Sequence, residues 1–82
     1  MKLEILTPEK KVFDDEIELV NLPTPAGYIS VLPHHTSLVT VVAEGVITIK
    51  TGREEKKFFT EGGTLEVSEN KATMLLRGYR DQ

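Results

Sequence analysis

The chain has 82 residues, enough for one domain that buries only about 60% of the surface its unfolded form exposes, which leaves little room for a deep active-site cavity. It contains no cysteine, which excludes disulfide staples, thiolate metal sites and a cysteine nucleophile, and nothing points to an oxidising compartment. Its 13 acidic and 10 basic side chains are mixed along the sequence for a net charge of −3, so there is no basic stripe to neutralise phosphates and nucleic acid is not an expected partner.

The start, MKLEIL, alternates after a single lysine and lacks the apolar centre of a signal peptide. No apolar run approaches the ~20 residues a spanning helix needs, so direct membrane insertion is not expected. Leu3 and Ile5 alternate with Lys2 and Glu4, and Ile17 and Leu19 with Glu16 and Glu18; both runs read as half-buried strands. Asp14, Asp15 and Glu16 between them read as a solvated acidic turn leading into the second strand. Asn21 to Gly27 holds two prolines and marks a connection, as does Pro33. Ile47 and Ile49 then oppose Thr48 and Lys50, and Leu65 and Val67 oppose Thr64, Glu66 and Ser68. Thr51-Gly52-Arg53 and Ser68-Glu69-Asn70-Lys71 have the composition of tight hairpin turns, because glycine and asparagine accept positive φ.

No window keeps an apolar stripe at helical spacing. The pattern predicts an all-β fold, a small antiparallel β-sandwich of two packed sheets, jelly-roll-like and with almost no helix. A single domain over residues 1–82 is the simplest organisation, with its compact part at about residues 2 to 78. Three places break the alternation: Val20 and Leu22 fall out of phase with Leu19, and Leu38 to Val42 and Met74 to Leu76 are apolar on both faces. A chain this short has too few elements to cover the outer faces of several strands. Either these side chains meet another protein, or bulges and corners turn them inward.

Candidate chemistry is sparse. His34 and His35 are the only histidines; as neighbours on extended backbone they point in opposite directions, and spacing supplies no further ligand to complete a metal site. Neither is read as a metal ligand or a catalytic base. Glu54-Glu55-Lys56-Lys57 suits an exposed hairpin arm that discourages strand pairing with strangers. Gly62-Gly63 lacks the lysine and hydroxyl residue of a phosphate loop and precedes a strand. Ser30, Ser37 and Ser68 have no elbow motif around them. No enzyme, cofactor or metal is expected. Asn70-Lys71-Ala72 is similar to the tripeptide of lipoyl or biotinyl carrier domains, but it lies near the end of the chain rather than its middle. A stand-alone ligand-binding sandwich is a further alternative, although without tryptophan there is little from which to build a sugar platform.

Several motifs recur in one order: Ile5-Leu6-Thr7-Pro8-Glu9 with Val12-Phe13; then Gly27, Ile29, Val31, Leu32, Pro33, His35, Leu38 and Val39; then Gly45 to Ile49; then Gly62 to Val67; and last Asn70 to Leu75. Together these resemble the N-terminal β-sandwich domain of the epsilon subunit of F-type ATP synthase, called delta in mitochondria, over essentially the whole chain. His34, Thr36 and Ser37 stand where that family usually has glycine, alanine and proline, and Ser30 replaces its second glycine.

The resemblance implies a non-catalytic rotor component of the central stalk, peripheral on the cytoplasmic or equivalent face of an energy-coupling membrane. Its partners would be the gamma subunit and the c ring. Thr7, His35 and Thr40 match positions that face gamma in the family, and Tyr28 matches one near the c-ring loops. The family's C-terminal helical hairpin, which can inhibit hydrolysis and in some members binds ATP, would follow Gln82, so neither property is carried over. On this reading intact-mass measurement of the native protein gives no lipoyl or biotinyl adduct at Lys71; finding one would favour a carrier.

Overall fold

The computed structural model describes residues 1–81, so Gln82, the last residue of the expected domain, lies outside it. Ten strands follow one another: β1 (Lys2–Leu6), β2 (Lys11–Glu16), β3 (Leu19–Thr24), β4 (Gly27–Val31), β5 (Leu38–Val42), β6 (Gly45–Thr51), β7 (Glu54–Thr60), β8 (Gly63–Ser68), β9 (Lys71–Leu76) and β10 (Tyr79–Asp81). They form two five-stranded sheets ordered β2-β1-β9-β8-β5 and β10-β7-β6-β3-β4. Among the described residues there is no helix. The expected β-sandwich is present, with one difference: β1 and β9 pair in parallel, Lys2 with Lys71 through Leu6 with Leu75.

Period-two alternation sends one side of each strand into a shared layer between the sheets. The first sheet contributes Leu3 and Ile5 from β1, Val42 from β5, Leu65 and Val67 from β8, and Ala72, Met74 and Leu76 from β9. Against them lie Val20 and Leu22 of β3, Val31 of β4, Ile47 and Ile49 of β6, and Phe58 of β7. The Phe58 ring meets Tyr79 of β10 edge to face, with centroids 5.5 Å apart. Among the described residues one polar side chain is buried with this core: Thr60 donates its hydroxyl to the Gly78 carbonyl at 2.9 Å and accepts from the Gly62 amide at 3.1 Å. Its polarity is thereby satisfied.

Several expectations from the sequence need correcting: the connection expected over Asn21 to Gly27 shrinks to Pro25 and Ala26, because β3 runs to Thr24 and β4 opens at Gly27, and His34 and His35 lie in a turn rather than on extended backbone. Ile17 and Leu19 do not share a strand: β2 ends at Glu16 and β3 begins at Leu19, and the residues between carry the chain from one sheet to the other. Ile17 is buried at this crossing, its amide donating to the Met1 carbonyl at 2.8 Å. Changing sheets reverses the side that faces the core, which is why Val20 and Leu22 fall out of phase. Asp14, Asp15 and Glu16 are likewise no turn; they end β2, an edge strand held to β1 by the pairs Glu4 with Asp14 and Lys2 with Glu16.

The turns follow residue type. Glu69 and Asn70, both at positive φ, close the β8–β9 hairpin, and Gly52 at φ 60° helps close β6–β7. Leu32 to His35 forms a turn in which the His35 amide donates to the Leu32 carbonyl at 3.2 Å. Pro33 occupies its second position and His34, at φ 66°, its third. That is the signature of a type II turn, whose third position favours glycine. Histidine is held there by its own amide, which donates to the Asn70 side-chain oxygen at 2.8 Å. Asn70 also accepts from the Lys2 amide at 3.3 Å through its carbonyl, so one residue joins β1, the β8–β9 turn and the β4–β5 loop.

Two substitutions test this account with opposite signs. His34→Gly relieves the left-handed strain and is expected to stabilise the sandwich or leave it unchanged, within about 1 kcal/mol. Gly63→Ala drives a Cβ into the Leu75 backbone carbonyl on the paired strand and is expected to cost about 3 kcal/mol or more. Urea unfolding midpoints measure both.

Candidate protein-interaction surface

Strand register fixes which side chains share the outer face of the first sheet. One row runs Val41, Thr64, Leu75 and Leu6 across β5, β8, β9 and β1; the next runs Val39, Glu66, Thr73, Glu4 and Asp14; a third runs Ser68, Lys71, Lys2 and Glu16. The two ends of these rows differ in chemistry. On the β5 side Val39 is 74% exposed, and Val41 and Leu75 are each 53% exposed. With Thr64, Leu65, Glu66 and Thr73, Val39 and Leu75 line a shallow groove. These are the outward-facing members of two segments that read as apolar on both faces: their inward neighbours Val42, Met74 and Leu76 are buried, and they themselves meet solvent.

The β1–β2 side of the same face is a charge network. Lys11 donates to Glu4 at 2.8 Å and to Asp14 at 3.0 Å, Lys2 lies 3.3 Å from Asp14, and Lys71 lies 4.0 Å from Glu4. The hydrogen bond from Lys11 holds the Glu4 carboxyl below its ordinary range. Hydrogen bonds from Lys11 and then Lys2 do the same for Asp14, and the Glu4 and Asp14 carboxylates raise Lys11.

The four residues expected to touch partners do not converge. Thr7 closes the β1–β2 turn: its hydroxyl donates to the Lys10 carbonyl at 3.1 Å and accepts from the Lys10 amide at 3.3 Å. Tyr28, 58% exposed, stands on edge strand β4, and its hydroxyl accepts from the Val46 amide at 3.2 Å. It reaches that amide across Pro23, with which it is paired, and beside Gly45 at φ 154°, where an added Cβ would come 2.9 Å from the tyrosine oxygen. His35 is exposed in the β4–β5 loop, its Nδ1 against the Thr36 carbonyl at 2.7 Å. Thr40 is half-buried on the core-facing side of β5, between the outward-facing Val39 and Val41. Thr7 and Tyr28 therefore lie toward one end of the sandwich and His35 toward the other, with Thr40 mid-strand.

Other candidates resolve as structure. Lys71 opens β9, paired with Ser68, and leans toward Glu4; the tip of its hairpin is Glu69-Asn70. Glu54 to Lys57 form the half of β7 that β10 does not cover, because β10 pairs only with Phe58 to Thr60. Lys56 sits 5.9 Å above the Phe13 ring, beside a cleft between the sheets lined by Asp15, Thr51, Glu54 and Glu55. Among the described residues no group of three or more His, Cys, Asp or Glu side chains is placed to hold a metal ion. Sequence reasoning named no surface residue among Val39, Val41 and Leu75, although their runs were flagged. The missing information was strand register, which decides which apolar face is left over.

Comparison with known proteins gives a consistent result. Residues 1–79 match the family described as ATP synthase, Delta/Epsilon chain, beta-sandwich domain. The ATP synthase epsilon chain of Dehalococcoides mccartyi is 37% identical over 75 residues, covering 92% of this chain and 54% of that protein. The chloroplastic epsilon chain of Cyanidioschyzon merolae is 38% identical over 81 residues, covering 99% of this chain and 62% of that protein. The chain thus spans little more than half the length of such relatives. Among solved structures, a chain of the Tetrahymena thermophila mitochondrial ATP synthase central stalk and c-ring assembly superposes with a TM-score of 0.88 at 19% identity, covering 99% of this chain and 66% of its own. A chain of the Euglena gracilis mitochondrial ATP synthase does so with a TM-score of 0.91 at 17% identity, covering 96% of this chain and 51% of its own. At such identities the superpositions show a shared fold.

The charge network predicts an acid-sensitive face. Glu4 and Asp14 have lowered folded-state values, so their contribution is present above the ordinary carboxylate pKa of about 4 and is lost as pH falls through the lower folded values. Lys11 is raised, so its contribution is lost only as pH climbs past about 10.5. Thermal unfolding between pH 2 and 6 is expected to show a loss of stability toward acid that is smaller in Lys11→Met.

Proposed function

We propose, for a chain that belongs to the family of ATP synthase delta/epsilon β-sandwich domains, that it serves as a non-catalytic component of the rotating central stalk, linking the gamma subunit to the c ring in proton-driven ATP synthesis. The observation that carries this reading is the family match over residues 1–79, nearly the full chain. The surface chemistry supports it. Val39, Val41 and Leu75 form an apolar stripe on the outer face of the first sheet, whose β1–β2 side presents charge. Burying such a stripe against a partner returns about 25 cal/mol for each Å2 of apolar area removed from water. The neighbouring Lys11, Glu4 and Asp14 network provides a polar rim of the kind that fixes orientation rather than affinity.

A stalk element has to pass torque without shearing. Two sheets of paired strands around one close-packed layer resist sliding, because shear would break ladder hydrogen bonds and open the core together. The parallel β1–β9 pair ties the first strand to the penultimate one, so no single hairpin can peel away without disturbing the sheet. Placement at the membrane is peripheral in this reading, since no helix among the described residues is long and apolar enough to cross a membrane.

Within that role His35, Thr40 and Thr7 are assigned to the gamma-facing surface and Tyr28 to the c-ring side. The two valines beside Thr40 are added to the gamma-facing set. Pull-down with the cognate gamma subunit tests the assignment: Val39→Glu and Val41→Glu are expected to weaken binding tenfold or more, a cost of about 1.4 kcal/mol. Binding left unchanged by both would remove the β5 face from the interface. Acidic substitutions at His35 and Thr40 that leave binding unaltered would remove those two residues. For Tyr28, whose hydroxyl also holds the Val46 amide, the readout is coupling of ATP hydrolysis to proton pumping in the assembled enzyme, compared among variants of equal thermal stability.

A further inference from the structure

We propose that the free chain forms a weak symmetric dimer by antiparallel pairing of β5 with β5 of a second copy, centred on Thr40. β5 is the last strand of its sheet and pairs only with β8, so the backbone groups that alternate residues turn to its other side pair with no strand; of these the Val41 carbonyl accepts the Thr40 hydroxyl at 3.4 Å. Such an edge is a template for another strand unless something guards it. The other margins are guarded. β2 presents Lys11, Asp14, Asp15 and Glu16; the free half of β7 presents Glu54 to Lys57; β10 is three residues long with Arg80 and Asp81; and β4 opens with Gly27 and carries polar Ser30. β5 reads Leu-Val-Thr-Val-Val, with no charge, proline or glycine.

The same strand is complementary to itself. Pairing about Thr40 sets Leu38 opposite Val42 of the second copy and Val39 opposite Val41, so the inward-facing and outward-facing sets of the two copies each line up. On the outer face Val39 and Val41, 74% and 53% exposed, gain β-branched cross-strand partners of the kind that stabilise antiparallel pairs. The apolar stripe that ends at Leu75 then continues into the second copy. Charge is also compatible. No charged residue lies in the paired segment. The contact is isologous and closes on itself, giving a dimer rather than a fibre. A five-residue strand addition buries less than the ~1,200 Å2 of the smaller stable complexes, so the dimer is expected to be concentration-dependent, with monomer dominant in dilute solution.

The chain has no cysteine, which allows a register-specific test that does not involve any stalk partner. Val39→Cys and Val41→Cys are prepared separately, each on an exposed position, and oxidised mildly alone and mixed. Opposite residues on an antiparallel pair bring Cβ atoms to about 5 Å, close to disulfide geometry, whereas the like positions, Val39 with Val39 or Val41 with Val41, lie diagonally apart. The mixture is expected to cross-link at least tenfold faster than either variant alone. Sedimentation of the unmodified chain is expected to show dimer growing with concentration, and Val41→Lys is expected to abolish it without lowering the unfolding midpoint. Equal cross-linking rates in all three reactions would overturn the proposal, as would monomer alone at millimolar concentration or a dimer insensitive to Val41→Lys.

Discussion

Everything in this fold is arranged around a single layer of apolar side chains held between two sheets. Leu3, Ile5, Leu65 and Met74 on one side and Leu22, Ile47, Ile49 and Phe58 on the other are essentially removed from solvent, and the described residues form no third layer over the outer faces. That constraint decides which residues are interior, where the chain must change sheets, and which apolar side chains are left over. Within the first sheet, close backbone approach is critical at Gly63 of β8, where the Leu75 carbonyl of the neighbouring β9 leaves no space for a side chain.

The outer faces are where individuality enters. The first sheet is divided along its rows into a charged side at β1 and β2 and an apolar side at β5 and Leu75. Both features come from the same alternation that builds the core. An outward residue costs nothing in the core whatever its type, so those positions are free to encode solubility at one margin and recognition at the other. Thr40 illustrates the overlap: its backbone belongs to the edge, its side chain to the inward set, and its neighbours Val39 and Val41 to the surface.

Much of this was legible from the chain itself. Alternation at Leu3-Ile5, Ile47-Ile49 and Leu65-Val67 identified strands and their inner faces, and Glu69-Asn70 and Gly52 identified turns, because each is a local property. What escaped was non-local. The sheet crossing at Ile17–Glu18 looked like a continuous strand because phase is readable only relative to a partner, and the pairing of β1 with β9 has no signature in either segment. His34 was seen as a departure from glycine, but its support by Asn70, 36 positions away, is visible only in three dimensions. For the surface, the runs Leu38 to Val42 and Met74 to Leu76 were flagged correctly as doubly apolar, while the choice of outward residue awaited the register.

The parallel β1–β9 pair has a consequence for how the molecule comes into being. Strands near the two ends of the domain must meet before the first sheet is complete, so closure waits on a long loop and on the synthesis of β9. During synthesis β1 and β2 can form their hairpin early, with Leu3 and Ile5 still lacking most of their cover. The domain therefore gains its rigidity abruptly once β9 has emerged rather than strand by strand, and a nascent chain halted before β9 remains a target for chaperones.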